Sequence, residues 1–178
     1  MLDALKARRG RLAGTSGLTL MELMVTVAIL AILVALAMPS FNAFVAKGRL
    51  SGAAEALAQD LQLAKSEALR RNADVTISFS SGAAWCYGSV VAAAACNCTA
   101  ANSCALRRVD NTDYAGVTMA APTFAGNATT FTARPGPVVA GQVELTHPNA
   151  GTLRVSLGAT GQVRVCSTAG GLGHLPAC

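Results

Sequence analysis

The residues of this chain whose types and spacing lend themselves to chemistry are one acid set in an apolar run, six cysteines, two histidines and a few arginines towards the C-terminus. Glu22 is the only charge between Leu18 and Met38, and the 16 residues from Leu23 to Met38 carry none. An ionisable group in a membrane-spanning run costs about 2.5–3.5 kcal/mol on insertion scales, so by default it is held against a partner. Cys86, Cys96, Cys98, Cys104, Cys166 and Cys178 all follow that run. On the oxidising side of a membrane an even set of cysteines forms disulfides, and six allow fifteen connectivities. Cys166 and Cys178 bracket Gly170, Gly171 and Gly173, and closing that loop would tie a glycine-rich tail to the last strand. The other four would staple the 86–104 region, with Cys86 joined to Cys96, Cys98 or Cys104.

The competing chemistry for the thiols is a zinc site from Cys96-x-Cys98, Cys104 and His174. Structural zinc prefers paired C-x₂₋₄-C spacing, and an oxidising compartment disfavours free thiolates, so no metal or other cofactor is expected. His147 and His174 each lie near a proline in expected loops and read as solvated. No nucleophile elbow, paired acid cluster or phosphate-cradling glycine loop is present, so the chain reads as a non-enzyme. The arginines pose a different question. Leu153, Val155 and Leu157 alternate with Arg154 and Ser156, while Val163 and Val165 alternate with Gln162 and Arg164. Matching apolar faces across such a hairpin puts Arg154 opposite Arg164 or on its diagonal. Like charges placed so close disfavour the sheet unless an anion or acid compensates. Arg154 and Arg164, with Arg134 able to join them, are therefore a candidate anion patch; the alternative is that they splay into solvent or pair with Glu144 or Asp110.

Larger elements must position these groups. Of 178 residues, 52% are hydrophobic and 13% charged, against about 25% charged in an ordinary globular protein. With a mean hydropathy of +0.44, this excludes charge-driven disorder, a coiled-coil rod and a cytosolic nucleic-acid arm. The net charge of +5 is mostly local: Lys6, Arg8, Arg9 and Arg11 against Asp3 place +3 in residues 1–17. As a helix, the 21 residues from Leu18 to Met38 span about 31 Å, close to the thickness of a bilayer's hydrocarbon core. Basic residues ahead of the span predict a cytoplasmic N-terminus and an exported remainder. Ala35-Leu36-Ala37 has the form of a signal-peptidase site, but Glu22 inside the run and Pro39 just past the cut count against it. A plain anchor explains the apolar run and leaves the acid unexplained.

Beyond Pro39 the pattern predicts a kinked continuation of the helix to about Arg71. Leu50, Ala54, Leu57, Leu61, Ala64 and Ala68 form an apolar stripe, with Lys47, Arg49, Asp60, Lys65 and Arg71 mostly off it and Gly48 and Gly52 weakening it locally. Short β-rich segments follow at Val75–Ser80, Ala84–Val91, Thr129–Ala133, Val143–Thr146, Leu153–Leu157 and Val163–Ser167.

Gly17-Leu18-Thr19-Leu20-Met21-Glu22, behind a basic leader and ahead of an apolar run, resembles the processing site of type IV prepilins and type II secretion pseudopilins. The stretch from Leu61 to Asn72 followed by Val75-Thr76-Ile77-Ser78-Phe79, then Thr130-Phe131 leading to Arg134-Pro135-Gly136, and Gly161-Gln162-Val163-Arg164-Val165, is similar to the GspH/FimT-type minor pilins and pseudopilins. The resemblance implies an α+β, type IV pilin-like fold: a long N-terminal helix, half membrane-embedded and half amphipathic, packed on an antiparallel β-sheet domain. It implies a leader at residues 1–17, an assembly helix at 18–39, an amphipathic half at 40–72 and a periplasmic, disulfide-containing domain at 73–178. Cleavage would follow Gly17, and Leu18, standing where the family favours Phe, would be the N-methylated first mature residue. Glu22 would be the fifth mature residue and Pro39 the twenty-second, both serving assembly. The implied role is that of a minor pilin of a type IV pilus, in assembly or priming, or of a minor pseudopilin in type II secretion. Implied partners are other major and minor pilins, a prepilin peptidase and the inner-membrane assembly platform. The implied location is the inner membrane, single-pass, before entry into a pilus or pseudopilus. Some relatives that serve natural transformation bind DNA through a Gly-Arg-x-Arg element. Here the matching positions keep Arg164 and carry Gln162 in place of the first arginine, with DNA as the candidate ligand.

Overall fold

The computed structural model describes Gly17 and residues 19–134, 136–168 and 175–178, without the side chains of Ala37 and Pro39. The rest of the expected leader, Leu18 and His174 therefore lie outside the described residues. The first element among the described residues is one helix, α1 (Leu20–Arg71), and the chain divides into two compact units at Met38–Pro39. In the first unit every described side chain from Thr19 to Met38 is exposed, including Leu23, Val27, Leu30 and Val34. Among the described residues no single helix is long and apolar enough to cross a membrane; the segments Leu20–Leu36 and Ser40–Arg71 taken together are, by length and composition.

In the second unit the helical stripe is buried as its period requires. Leu50, Ala54, Leu57, Leu61, Ala64 and Ala68 are at most 1% exposed, and Ala46 and Ala53 widen the same face. Among the described residues its cover is built from eight strands: β1 (Val75–Ser80), β2 (Cys86–Val90), β3 (Arg107–Asp110), β4 (Thr118–Met119), β5 (Ala128–Phe131), β6 (Gly141–His147), β7 (Gly151–Leu157) and β8 (Val163–Ser167). These form two four-stranded antiparallel sheets, ordered β3-β2-β1-β5 and β4-β6-β7-β8. A single bridge, Gly82 with Met119, connects the end of β1 to β4. The stripe shares one hydrophobic core with Ile77, Phe79 and Tyr87 of the first sheet and Val143, Leu145, Leu153 and Val155 of the second.

The two sheets differ in how they read. In β6 and β7 burial alternates strictly from Val143 and Leu153 onward, the pattern of a sheet covered on one face. In β1 it does not: Thr76 and Ser78 are buried along with Val75, Ile77 and Phe79. The loop after β2 covers that second face and satisfies the hydroxyls. Thr76 Oγ1 donates to Ala92 O at 2.8 Å, and Ser78 Oγ accepts from the Cys96 N–H at 3.0 Å. Disulfides Cys86–Cys98 and Cys96–Cys104 knot this loop, and Cys166–Cys178 ties the C-terminus to β8. Cys104 lies so close to β2 that a Cβ on Gly88 would stand 2.5 Å from its Sγ, which is why a strand interior carries glycine there. Edge strands β3 and β4 were not expected, being four and two residues long with no apolar alternation.

The phase of the helical stripe is tested by two leucines two residues apart. Leu61→Ala, from the fully buried face, is expected to cost about 2–5 kcal/mol in chemical denaturation. Leu63→Ala, 44% exposed, should stay within about 0.5 kcal/mol of the parent.

Candidate functional site

At the helix start, Thr19 acts as the N-cap: its Oγ1 accepts the Glu22 N–H at 3.2 Å and its carbonyl accepts the Leu23 N–H at 3.1 Å. Thr-x-x-Glu is the spacing of a capping box, a signal legible in the sequence that the processing-site reading passes over. The cap places the Glu22 carboxylate in the first turn, where the helix dipole favours negative charge. Among the described residues no cation forms an ion pair with it.

The strand register sorts the arginines. Arg154 faces Cys166 and Arg164 faces Ser156, so the two arginines are diagonal neighbours. On its other side Arg154 faces Glu144 of β6, to whose Oε1 it donates from Nε at 3.0 Å and Nη2 at 2.7 Å. Its charge is compensated within the sheet. Arg164 is exposed and lines a cleft with Gln62, Lys65, Gly161 and Gln162. Arg134 lines a neighbouring cavity of about 110 Å³ with Lys65, Leu69, Phe131, Val138 and Thr160. Lys65 is common to both. Its Nζ donates to Thr160 O at 3.3 Å and Gly161 O at 3.4 Å, fastening the helix to the β7–β8 turn. The turn depends on Gly161, whose φ is +73° and whose Cβ, if added, would lie 2.8 Å from Lys65 Nζ. No local pattern marks Lys65, since its partners lie 95 and 96 residues further on.

Two polar groups depart from the solvated roles expected of them. Asp60, expected off the stripe, is buried and accepts from Tyr87 OH at 2.8 Å and from Arg107 Nε at 3.2 Å. Burial, reinforced by the Asp60 carboxylate, pushes the Tyr87 phenol well above its ordinary value. His147 is not a solvated loop residue: it ends β6, is buried, packs against Gly116, and accepts the Asn149 N–H on Nδ1 at 3.2 Å. At the end of α1, Glu67 accepts from Arg70 and Arg71, which lower its pKa from 4.5 to about 2. The thiols that a zinc site would need are oxidised, and among the described residues no cluster of three His, Cys, Asp or Glu could hold a metal ion.

A family model described as type II transport protein GspH matches residues 53–171. Two crystal structures of the type IV minor pilin FimU from Pseudomonas aeruginosa strain PAO1 are similar to the chain. In space group P21 the identity is 25% over 68% of this chain and 91% of that one, with a TM-score of 0.48. In P65 it is 24% over 65% and 91%, with a TM-score of 0.49. No curated protein matches.

The Lys65 fastening predicts that Gly161→Ala costs about 1–2 kcal/mol, through the left-handed backbone and the displaced ammonium. Gly158→Ala, where a Cβ meets only Gln162 O at 3.7 Å, should be close to neutral. The Glu67 cluster predicts a pH dependence. With the folded pKa depressed, its contribution is present above the unfolded value of 4.5 and is lost as pH falls towards about 2. The melting temperature of Glu67→Gln should accordingly fall less than the parent's between those pH values.

Proposed function

The chain belongs to the GspH family of minor pilins and pseudopilins, and on that footing we propose that it is a minor pilin, a low-abundance subunit that enters a type IV pilus through the N-terminal half of α1. The family role is structural rather than enzymatic: its members are subunits in the assembly of pili or pseudopili. In this reading a prepilin peptidase cuts after Gly17 and frees the Leu18 amine, which is then methylated. The subunit waits in the inner membrane with its β-rich domain in the periplasm. It then joins other pilins at the assembly platform, near the filament tip or in the complex that primes assembly.

The observation that carries this reading is the Glu22 carboxylate, placed one turn into an exposed apolar helix with no cation paired to it among the described residues. Cleavage after Gly17 leaves a protonated amine on Leu18, one residue before the N-cap. In a low-dielectric bundle of such helices, the acid of one subunit and the amine of its neighbour attract strongly, and either charge left alone is costly. Pairing between neighbours therefore sets the axial register of the filament, and Pro39, at the boundary of the two units, serves the same helix. The combined length and composition of Leu20–Leu36 and Ser40–Arg71 support the membrane-held state. A second reading, a minor pseudopilin of a type II secretion system, uses the same chemistry and is favoured by the description of the matching family.

Intact mass and N-terminal sequencing of membrane-extracted protein test the proposal, with Leu18 expected first. Gly17→Val should retain the leader. Glu22→Leu should be processed and yet be at least about tenfold depleted from sheared filaments, since an unpaired buried charge costs more than 1.4 kcal/mol. A mature N-terminus just beyond Ala37, or normal incorporation of Glu22→Leu, overturns it. Loss of exoprotein secretion with pili intact in a deletion strain selects the pseudopilin reading.

A further inference from the structure

The basic side chains of the second unit fall into two classes. Arg70 and Arg71 pair with Glu67, Arg107 with Asp60, Arg108 with Asp110 and Arg154 with Glu144. Lys47, Arg49, Lys65, Arg134 and Arg164 form no ion pair among the described residues, and the last three of these are gathered on one flank. Arg134 and Lys65 line the cavity of about 110 Å³, and Lys65 and Arg164 line the adjoining cleft, the two meeting at Thr160–Gly161. Among the described residues no carboxylate lines either one. Like charges converging without a counter-ion raise the energy of the free protein, and an anion seated between them lowers it.

The surroundings narrow the kind of anion. Leu69, Phe131 and Val138 give the cavity beside Arg134 an apolar lining, and Leu69 and the adjacent Val139 are 47% and 49% exposed. Gln62 and Gln162 add amide donors at the far end. A sequence-tolerant nucleic-acid track needs exposed aromatic faces for stacking and a longer run of cations. Among the described lining residues the one aromatic ring, Phe131, is 2% exposed. Apolar surface interleaved with arginine is instead the make-up of a protein–protein contact. We propose that the flank formed by Lys65, Arg134 and Arg164 is a docking cleft for a partner-protein segment that alternates carboxylates with apolar side chains. The carboxylates accept from Arg134, Lys65 and Arg164, and an apolar side chain between them enters the cavity against Leu69 and Val138. This goes beyond the filament-subunit reading, and its failure would leave that reading intact.

Fluorescence anisotropy of the full chain in an uncharged detergent tests the cleft. The probes are a labelled peptide of alternating leucine and glutamate, the same peptide with glutamine for glutamate, and a thymidine oligonucleotide of equal charge. The acidic peptide should bind at least about tenfold more tightly than the neutral one. The Arg134→Gln/Arg164→Gln double variant, changed only at exposed positions, should lose about that factor, while Arg154→Gln, whose charge is already paired, should bind as the parent does. Equal affinity for the acidic and neutral peptides overturns the proposal. So does an equal loss in Arg154→Gln. Tighter binding of the oligonucleotide, abolished by the double variant, replaces it with a nucleic-acid site.

Discussion

Burial of one face of α1 is the constraint on which the rest of the second unit depends. Leu50, Leu57 and Leu61, with the alanines between them, cannot be covered by the helix itself, and two sheets meet over them in one core. Small residues at positions 53, 54, 64 and 68 let the sheets approach, and the bulk is supplied from the strand side by Phe79, Trp85, Tyr87 and Phe131. With the helix so engaged, each remaining polar group near the contact needs a partner supplied by a strand or a turn. Asp60 takes Tyr87 and Arg107, and Lys65 takes the carbonyls of the β7–β8 turn.

The same helix has a different economy before Pro39. There every described side chain is exposed, and the only charge is Glu22, capped by Thr19. A helix whose apolar residues run all round has no preferred buried stripe and suits an environment that is apolar on all sides. In the proposed reading its partners are lipid or other such helices, and a charge within it acts through a counter-charge that arrives with a partner. The two parts of α1 therefore differ in kind: one part is covered by its own chain, and the other is left exposed by it.

The disulfides explain why the first sheet resists a period-two reading. A loop without charge from Val91 to Leu106 lies over the outer face of β1 and β2, held by Cys86–Cys98 and Cys96–Cys104. Thr76 and Ser78, which alternation would assign to solvent, become the groups that hydrogen-bond this loop to the sheet. The pairing Cys86–Cys98 is one of several that spacing left open; in the fold Cys86 opens β2 and bonds to Cys98, while Cys104, against Gly88 of the same strand, bonds to Cys96. No arithmetic on cysteine positions contains that information.

Much of the fold was legible because its signals are local and periodic. The helical stripe, the bounds of β1 and β8 and the alternation of β6 and β7 all follow from side-chain spacing acting over a few residues. The cluster Thr19–Glu22 belongs to the same class, since a cap and its acid are three residues apart. The arginines show where such reasoning stops. Alternation limited Arg154 and Arg164 to opposite or diagonal positions, and only the third strand, by bringing Glu144 to Arg154, decided which arginine is neutralised and which remains free. Lys65 and Asp60 looked alike as charged residues off an apolar stripe. Contacts with residues 27 to 96 positions away made one a buried acceptor and the other a fastening to the β7–β8 turn. The sequence alone determined the buried faces of α1, β6 and β7, because burial there follows from periodicity along one element. Which charge meets which was decided by tertiary structure, because electrostatic partners are set by distance in space and not by separation along the chain.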